Sequence, residues 1–144
     1  MAYIMADFSK CEELAKKNEW VSSGTDSGSR ECAVAVKALT GAPATSLWRR
    51  GKKVKGNNSI LQGTAIATFP DKGSDGKFHY KGHAAIFVKH TSDGIEVYDQ
   101  WGGGAVLPGQ TLPGTPFHKR TIRYGGRRVS NDAEEFYVIE DREV

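Results

Sequence analysis

Cys32 is the residue of this sequence best placed for nucleophilic chemistry. It begins an almost wholly apolar stretch, residues 32–36, which follows Ser29-Arg30-Glu31. With Ser29 as the N-cap, a helix carries Cys32 in its first turn, where unpaired N–H groups and the helix dipole stabilise a thiolate. A cysteine that only fills a core does not need this position. The pattern therefore predicts a reactive thiol, and the alternative is a buried structural cysteine.

A cysteine nucleophile also needs a general base, and His83 is the best candidate among the four histidines. It follows Gly82 and precedes the apolar run of residues 84–88. A ring at the start of a strand can extend beyond the sheet while packing holds the backbone behind it. We expect His90, at the end of a hairpin, to be solvated, and His79 and His118 to lie in loop-like or edge-like positions.

A third polar group usually orients such an imidazole by accepting its second N–H. Asp99 ends a predicted strand at residues 95–98, which a tight turn at residues 92–94 joins to the strand of His83. Antiparallel pairing brings the start of one strand close to the end of the next, and this favours Asp99. A register shift of one residue exchanges the two faces, so Gln100 is the alternative acceptor.

Two helices are predicted in the first third of the chain. Ser9 and Glu12 have the spacing of a capping box, and the helix that follows places Cys11 on its buried face. The second helix is expected after a loop at residues 24–28 and ends near Leu39, before a glycine and a proline.

Strands dominate the rest of the sequence. Residues 46–59 are basic and show no clear periodicity, whereas the strand patterns lie further along, at residues 64–69, 84–88, 95–98, 119–124 and 136–139. Helices followed by a meander of strands predict an α+β fold with N-terminal helices packed on an antiparallel sheet. The sequence contains neither a repeat nor a linker, and we expect one domain over residues 1–144.

Composition excludes several classes of protein. Two cysteines are too few for a disulfide scaffold or a cysteine-rich zinc module. The net charge of +3 permits a polyanionic partner without requiring one. Basic runs at residues 49–55 and 119–128 are expected to be solvated surface, and no nucleic-acid interface is predicted.

His79 and His83 have metal-ligand spacing, but the intervening residues do not form a helix, so no metal is expected. A disulfide between Cys11 and Cys32 would block the nucleophile.

The sequence also resembles a known family through five short motifs. A cysteine at a helix start, a Gly-His-Ala strand start and a polar residue on the next strand resemble the NlpC/P60 and CHAP groups of papain-like cysteine peptidases. The fuller set is similar to the type VI secretion amidase effectors, bacterial toxins that cut peptidoglycan peptides. The motifs are Glu31-Cys32-Ala33, Trp48-Arg49-Arg50-Gly51, Gly63-Thr64-Ala65-Ile66-Ala67-Thr68-Phe69, Gly82-His83-Ala84-Ala85-Ile86 and Tyr98-Asp99-Gln100-Trp101.

The resemblance implies a papain-like single catalytic domain with Cys32 as nucleophile, His83 as base and Asp99 as orienting acceptor. It implies a peptidoglycan peptide substrate, with the D-Ala–diaminopimelate cross-link favoured over bonds within the stem, and no cofactor. The sequence starts without a signal-peptide pattern or a membrane span. We therefore expect a protein made in the bacterial cytoplasm and exported by a secretion apparatus. The resemblance implies that it acts in a target cell's periplasm and is inhibited by an immunity protein, and we expect a monomer.

Two other functions remain open from the sequence. The first is a non-catalytic module that binds cell-wall peptides or glycans on the same fold, in which case Cys32 has no stabilised thiolate. The second is acyl transfer or deamidation of a protein side chain, which shares all chemistry up to the acyl-enzyme. Residues 46–59 and 102–116 are the expected substrate-binding loops.

Overall fold

The computed structural model describes the backbone of residues 1–22, 30–102, 104–107 and 110–144, and the side chains of residues 1–22, 30–102 and 113–144. The helices are α1 (Lys10–Lys16) and α2 (Cys32–Thr40), with 3-10 turns at Thr45–Leu47, Val129–Asn131 and Ala133–Glu135. The strands are β1 (Arg49–Lys53), β2 (Ala65–Thr68), β3 (Asp71–Lys72), β4 (Phe78–His79), β5 (Ala84–Thr91), β6 (Gly94–Trp101), β7 (Gly104–Leu107), β8 (Gln110–Leu112), β9 (Thr115–Arg123) and β10 (Phe136–Glu140).

Six of these strands form one antiparallel sheet in the order β1-β10-β2-β5-β6-β9. This confirms the predicted α+β class and its antiparallel sheet. The edge strand β1 lies in the stretch for which no strand was predicted, because Arg-Arg-Gly-Lys-Lys has no apolar alternation. Gly51 allows the close approach of β1 to β10, since a Cβ there would lie 2.6 Å from the carbonyl oxygen of Val138.

The sheet separates two apolar clusters, and alternation along β5 and β6 assigns side chains to one or the other. Ala84, Ile86 and Tyr98 pack with the helices, whereas Ala85, Phe87, Ile95 and Val97 pack on the opposite face. Both helices contribute to the first cluster, through Cys11 of α1 and through Cys32, Ala35 and Val36 of α2. The start of α2 therefore lies on the helical side of β5 and β6.

The helix termini differ from the sequence-based expectations. Ser9 is the N-cap of α1, but its side chain makes no capping bond, and its hydroxyl lies 2.5 Å from Asp7 Oδ1, so the predicted capping box is wrong. The N-cap of α2 is Glu31 rather than Ser29, because α2 begins at Cys32. Ser29 and the predicted loop at residues 24–28 lie outside the described residues. Gly41 ends α2 in the left-handed conformation, with φ of 75°.

None of the helices in the described part of the chain is both long and apolar enough to cross a membrane.

Candidate active site

Cys32 is the first residue of α2, and its side chain is 7% exposed. Its sulfur lies 3.3 Å from the hydroxyl oxygen of Tyr80. The His83 imidazole and the backbone N–H of Ala84 are the other groups that stabilise the charge of its thiolate. Burial by itself would raise the pKa of the thiol. The hydrogen bond and positive charge of His83, together with the other two donors, outweigh burial and lower the pKa of Cys32.

The backbone around His83 is fixed by Thr68 of the neighbouring strand β2. The Thr68 hydroxyl accepts the His83 N–H at 3.0 Å and donates to the carbonyl of Lys81, while the Thr68 N–H donates to the His83 carbonyl at 3.0 Å. Gly82 has φ of 108°, and a Cβ on it would lie 2.6 Å from Thr68 Oγ1. A side chain at Gly82 would therefore displace the hydroxyl that holds His83.

His83 connects the thiol to a buried carboxylate. Its Nε2 lies 2.6 Å from Asp99 Oδ2, which leaves Nδ1 as the ring nitrogen that can face Cys32. Burial lowers the pKa of the imidazole, but the hydrogen bond to Asp99 and the contact with Cys32 reverse this and raise the pKa to about 9. A lowered thiol pKa beside a raised imidazole pKa favours a thiolate–imidazolium pair at neutral pH.

Asp99 is 2% exposed and faces several positively charged or ionisable groups. Its Oδ2 also accepts a hydrogen bond from Arg120 Nε at 2.8 Å, and His118 Nδ1 lies 3.8 Å from its Oδ1. Within the described residues Oδ1 has no hydrogen-bond partner, because His118 Nδ1 bonds to the carbonyl of Pro116 at 2.9 Å. This carboxylate can orient the His83 ring and stabilise its charge.

Sequence reasoning did not identify His118 and Arg120 as neighbours of Asp99. Both lie on β9, which pairs with β6 in a register that places His118 opposite Asp99. The expectation that His118 lies at an edge is confirmed, since β9 is the last strand of the sheet. The sequence places His118 and Arg120 two positions apart, and therefore on one face of a strand, but the register of β9 against β6 could not be read without the structure.

Trp101 covers the polar row on the same face of β6. Its ring lies edge-on to His83 and His118, with centroids 6.3 and 5.4 Å away, and the Arg120 guanidinium lies 4.9 Å from the centre of a Trp101 ring. An aromatic cover of this kind limits the access of water to the bond between His83 and Asp99, which strengthens that bond.

Gln100 points to the opposite face of β6, where its side chain makes hydrogen bonds to the backbone. Its amide oxygen accepts from the Val21 N–H at 2.7 Å, and its Nε2 donates to the carbonyls of Val21 and Glu31 at 2.9 and 3.1 Å. The structure therefore brings Asp99, not Gln100, to His83. Gln100 instead joins β6 to the residue that precedes Cys32.

Cys11, His79 and His90 lie apart from this row. Cys11 and Cys32 are both free thiols, and the Cys11 sulfur lies 3.3 Å from Met5 Sδ. His79 pairs with Asp75 at 2.8 Å on the surface. His90 is half-buried with its ring 5.2 Å from Phe87, so the expectation that it is solvated is wrong. No group of three or more potential metal ligands occurs within the described residues.

A buried row of thiol, imidazole and carboxylate at a helix N-terminus of an α+β fold is the arrangement of an enzyme that attacks amide carbonyls. Residues 1–139 match the family of domesticated amidase effector 2, and the chain belongs to this family. The resemblance to amidase effectors and the prediction of an amidase are thus confirmed.

Two relatives and one solved structure show the extent of the similarity. The chain is 39% identical over 142 residues to domesticated amidase effector 2 of Ixodes scapularis, covering 94% of this chain and 87% of the relative. It is 32% identical over 116 residues to a type VI secretion amidase effector 2 protein of Salmonella typhi, covering 76% and 84%. The structure of a type 6 secretion amidase effector 2 superposes with a TM-score of 0.61 at 27% identity, covering 96% and 94%.

Proposed function

We propose that this protein is a peptidoglycan amidase with a papain-like NlpC/P60 arrangement, in which residues 1–144 form a single catalytic domain. Cys32 is the nucleophile, His83 is the general acid and base, and Asp99 orients the His83 ring. The observation that carries the proposal is the buried 2.6 Å bond from His83 to Asp99, next to a Cys32 thiol whose pKa His83 lowers.

The reaction follows from the protonation states that this row favours. The Cys32 thiolate attacks the amide carbonyl, and the backbone N–H of Cys32, in the first turn of α2, can donate to the oxyanion. The His83 imidazolium then gives its proton to the leaving amine, and the acyl-enzyme forms. A water molecule, deprotonated by the now neutral His83, hydrolyses the thioester, and departure of the Cys32 thiolate restores the thiolate–imidazolium pair.

The proposed substrate is the stem peptide of peptidoglycan, with the D-Ala–diaminopimelate cross-link favoured. Both relatives are named as amidase effectors, and one of them as a type VI secretion effector. We therefore propose an antibacterial role in the periplasm of a target cell, reached through a secretion apparatus. A producing cell would need an immunity protein, most simply one that covers Cys32.

Digestion of purified peptidoglycan tests the enzyme proposal. Wild-type protein should release fragments whose masses identify the cleaved bond, and Cys32→Ala should lower the rate by at least about 10⁴-fold because the nucleophile is lost. Cys11→Ala is the matched control, since it removes the other thiol from outside the row. Undiminished digestion by Cys32→Ala would overturn the proposal.

Expression in bacteria tests the site of action. Protein directed to the periplasm should lyse the cells, whereas the same protein in the cytosol should be tolerated, and Cys32→Ala should be harmless in both compartments. Equal toxicity of wild-type protein in both compartments would argue for another target.

The lowered pKa of Cys32 disfavours the alternative of a non-catalytic binding module, which has no use for a stabilised thiolate.

A further inference from the structure

Gln100 is a completely buried side chain that joins backbone groups from two separate segments of the chain. Its Oε1 accepts the Val21 N–H at 2.7 Å, and its Nε2 donates to the carbonyls of Val21 and Glu31 at 2.9 and 3.1 Å. Both N–H groups of the amide are therefore used. Because any other orientation would leave buried polar groups unpaired, this amide is held in one position.

The bond from Gln100 to Glu31 ends on the peptide group that leads into the nucleophile. The carbonyl of Glu31 and the N–H of Cys32 belong to the same planar unit, and this peptide is trans, so the N–H points away from the carbonyl. A donor that fixes the carbonyl therefore also fixes the direction of the Cys32 N–H. The same carbonyl accepts the Val34 N–H at 3.2 Å, which joins it to the first turn of α2.

Asp99, the residue before Gln100, binds the other half of the site. Its Oδ2 lies 2.6 Å from His83 Nε2, and it points to the opposite face because successive side chains of a strand alternate. The strand that carries both residues, β6, is paired on both sides, with β5 and with β9. Two adjacent residues of one supported strand thus hold the base and the peptide of the nucleophile.

We propose that Gln100 is a positioning residue, which holds the Glu31 carbonyl so that the Cys32 N–H points at the oxyanion and the Cys32 thiol stays beside His83. The inference rests on the proposed function, in which this N–H donates to the oxyanion. It adds a residue that does not touch the substrate, since Gln100 is 0% exposed. A shift of this peptide weakens the oxyanion contact and separates thiol from imidazole at the same time.

Gln100→Glu tests the proposal with little change in shape. The variant keeps the length of the side chain and an oxygen for the Val21 N–H, but an oxygen replaces the Nε2 that donates to Glu31. On a soluble cross-linked stem peptide, kcat should fall about tenfold to 100-fold, the size expected when a reacting group is misplaced by about an ångström. KM should stay near the wild-type value, because the side chain is out of reach of the substrate.

Alkylation by iodoacetamide gives a readout that does not depend on turnover. In Gln100→Glu the rate at Cys32 at pH 6 should fall about tenfold, because a thiol further from His83 is stabilised less as the thiolate. Gln100→Met, which has a side chain of similar length and no amide, carries both measurements if a buried charge prevents Gln100→Glu from folding. A protein that folds with neither residue would overturn the assignment, since Gln100 would then serve the fold first.

Thr64→Val is the matched control. Thr64 is 3% exposed, and its hydroxyl also donates to a backbone carbonyl, that of Leu61 at 2.6 Å, away from the row. This variant should lower the thermal midpoint but keep the wild-type kcat and the wild-type alkylation rate at Cys32.

A wild-type value of either quantity in a folded Gln100 variant would overturn the inference and leave the proposed amidase intact. If wild-type protein does not cleave the stem peptide, the proposed function and the oxyanion role are overturned together. The alkylation rates would then still decide whether Gln100 holds Cys32 beside His83.

Discussion

The two cysteines of this chain are both buried, yet their neighbours give them opposite acid–base properties. Cys11 is completely buried on α1 beside Met5, and desolvation raises the pKa of its thiol to about 12. Cys32 is 7% exposed, but His83 and Tyr80 lower the pKa of its thiol. Burial is thus not what separates a structural thiol from a reactive one. The difference lies in the donors and the positive charge that surround the sulfur.

The largest expected difference between the two thiols is in their rates of alkylation. At pH 7 iodoacetamide should modify Cys32 at least about 10³-fold faster than Cys11, because only the thiolate reacts and only Cys32 stabilises it. Peptide mapping by mass spectrometry of the native protein measures both rates in one sample. Cys11 should become reactive in denaturant, where its neighbours are lost. Equal rates in the native protein would contradict the comparison.

Replacing His83 should make Cys32 resemble Cys11. In His83→Ala the desolvation that raises the thiol pKa remains, while the main opposing hydrogen bond and charge are gone. Alkylation of Cys32 at pH 7 should fall by at least about tenfold. The rate at Cys11 in the same sample is the internal control, and it should not change. An unaltered rate at Cys32 would show that His83 does not hold the thiolate.

The pH dependence of kcat/KM should be bell-shaped and should report both partners. Activity falls on the acid side as the Cys32 thiolate, whose pKa is lowered, becomes protonated. It falls on the alkaline side near pH 9, as the imidazolium of His83, whose pKa is raised, loses its proton. Asp99→Asn removes the carboxylate charge that supports the imidazolium, so the alkaline limb should move to lower pH and kcat should fall about tenfold or more.

Lys119→Gln serves as the control for this profile, since Lys119 pairs only loosely with Glu96, at 3.9 Å on the surface. Its alkaline limb should stay where the wild-type limb is. An alkaline limb that Asp99→Asn leaves unmoved would show that Asp99 supports the fold without acting on His83.

The sequence predicted the parts of the site that depend on local pattern. The turn at residues 92–94 joins β5 to β6, and the observed pairing of Ile86 with Tyr98 leads to His83 and Asp99 as diagonal neighbours on one face. The same alternation places Gln100 on the other face. Since the hairpin contains both strands, its periodicity and its turn were enough to bring the imidazole and the carboxylate together. The catalytic roles of these residues stay predictions.

The residues that sequence reasoning missed depend on contacts between distant parts of the chain. Arg120 and His118 reach Asp99 through the pairing of β6 with β9, which residues 102–114 separate in sequence. Tyr80 reaches Cys32 from the segment between β4 and β5, 48 positions away in sequence. No periodicity in either segment encodes such a contact. The short edge strand β1 was missed for a similar reason, because its pairing with β10 does not need an apolar face.

Tyr80→Phe should have the smallest effect on the difference in reactivity between the two thiols, because it removes a single hydrogen-bond donor from Cys32. The Tyr80 ring packs against Trp48 with centroids 4.7 Å apart, and phenylalanine keeps this packing. Only the hydroxyl 3.3 Å from Cys32 is lost. In the wild type this hydroxyl keeps its proton and donates to the thiolate, because burial and the charge of Cys32 raise the pKa of Tyr80. Alkylation of Cys32 at pH 6 should slow by up to about tenfold, the size of one hydrogen bond to a charged group. The thermal midpoint should stay close to that of the wild type, whereas an unchanged alkylation rate would leave His83 and the Ala84 N–H as the groups that distinguish Cys32 from Cys11.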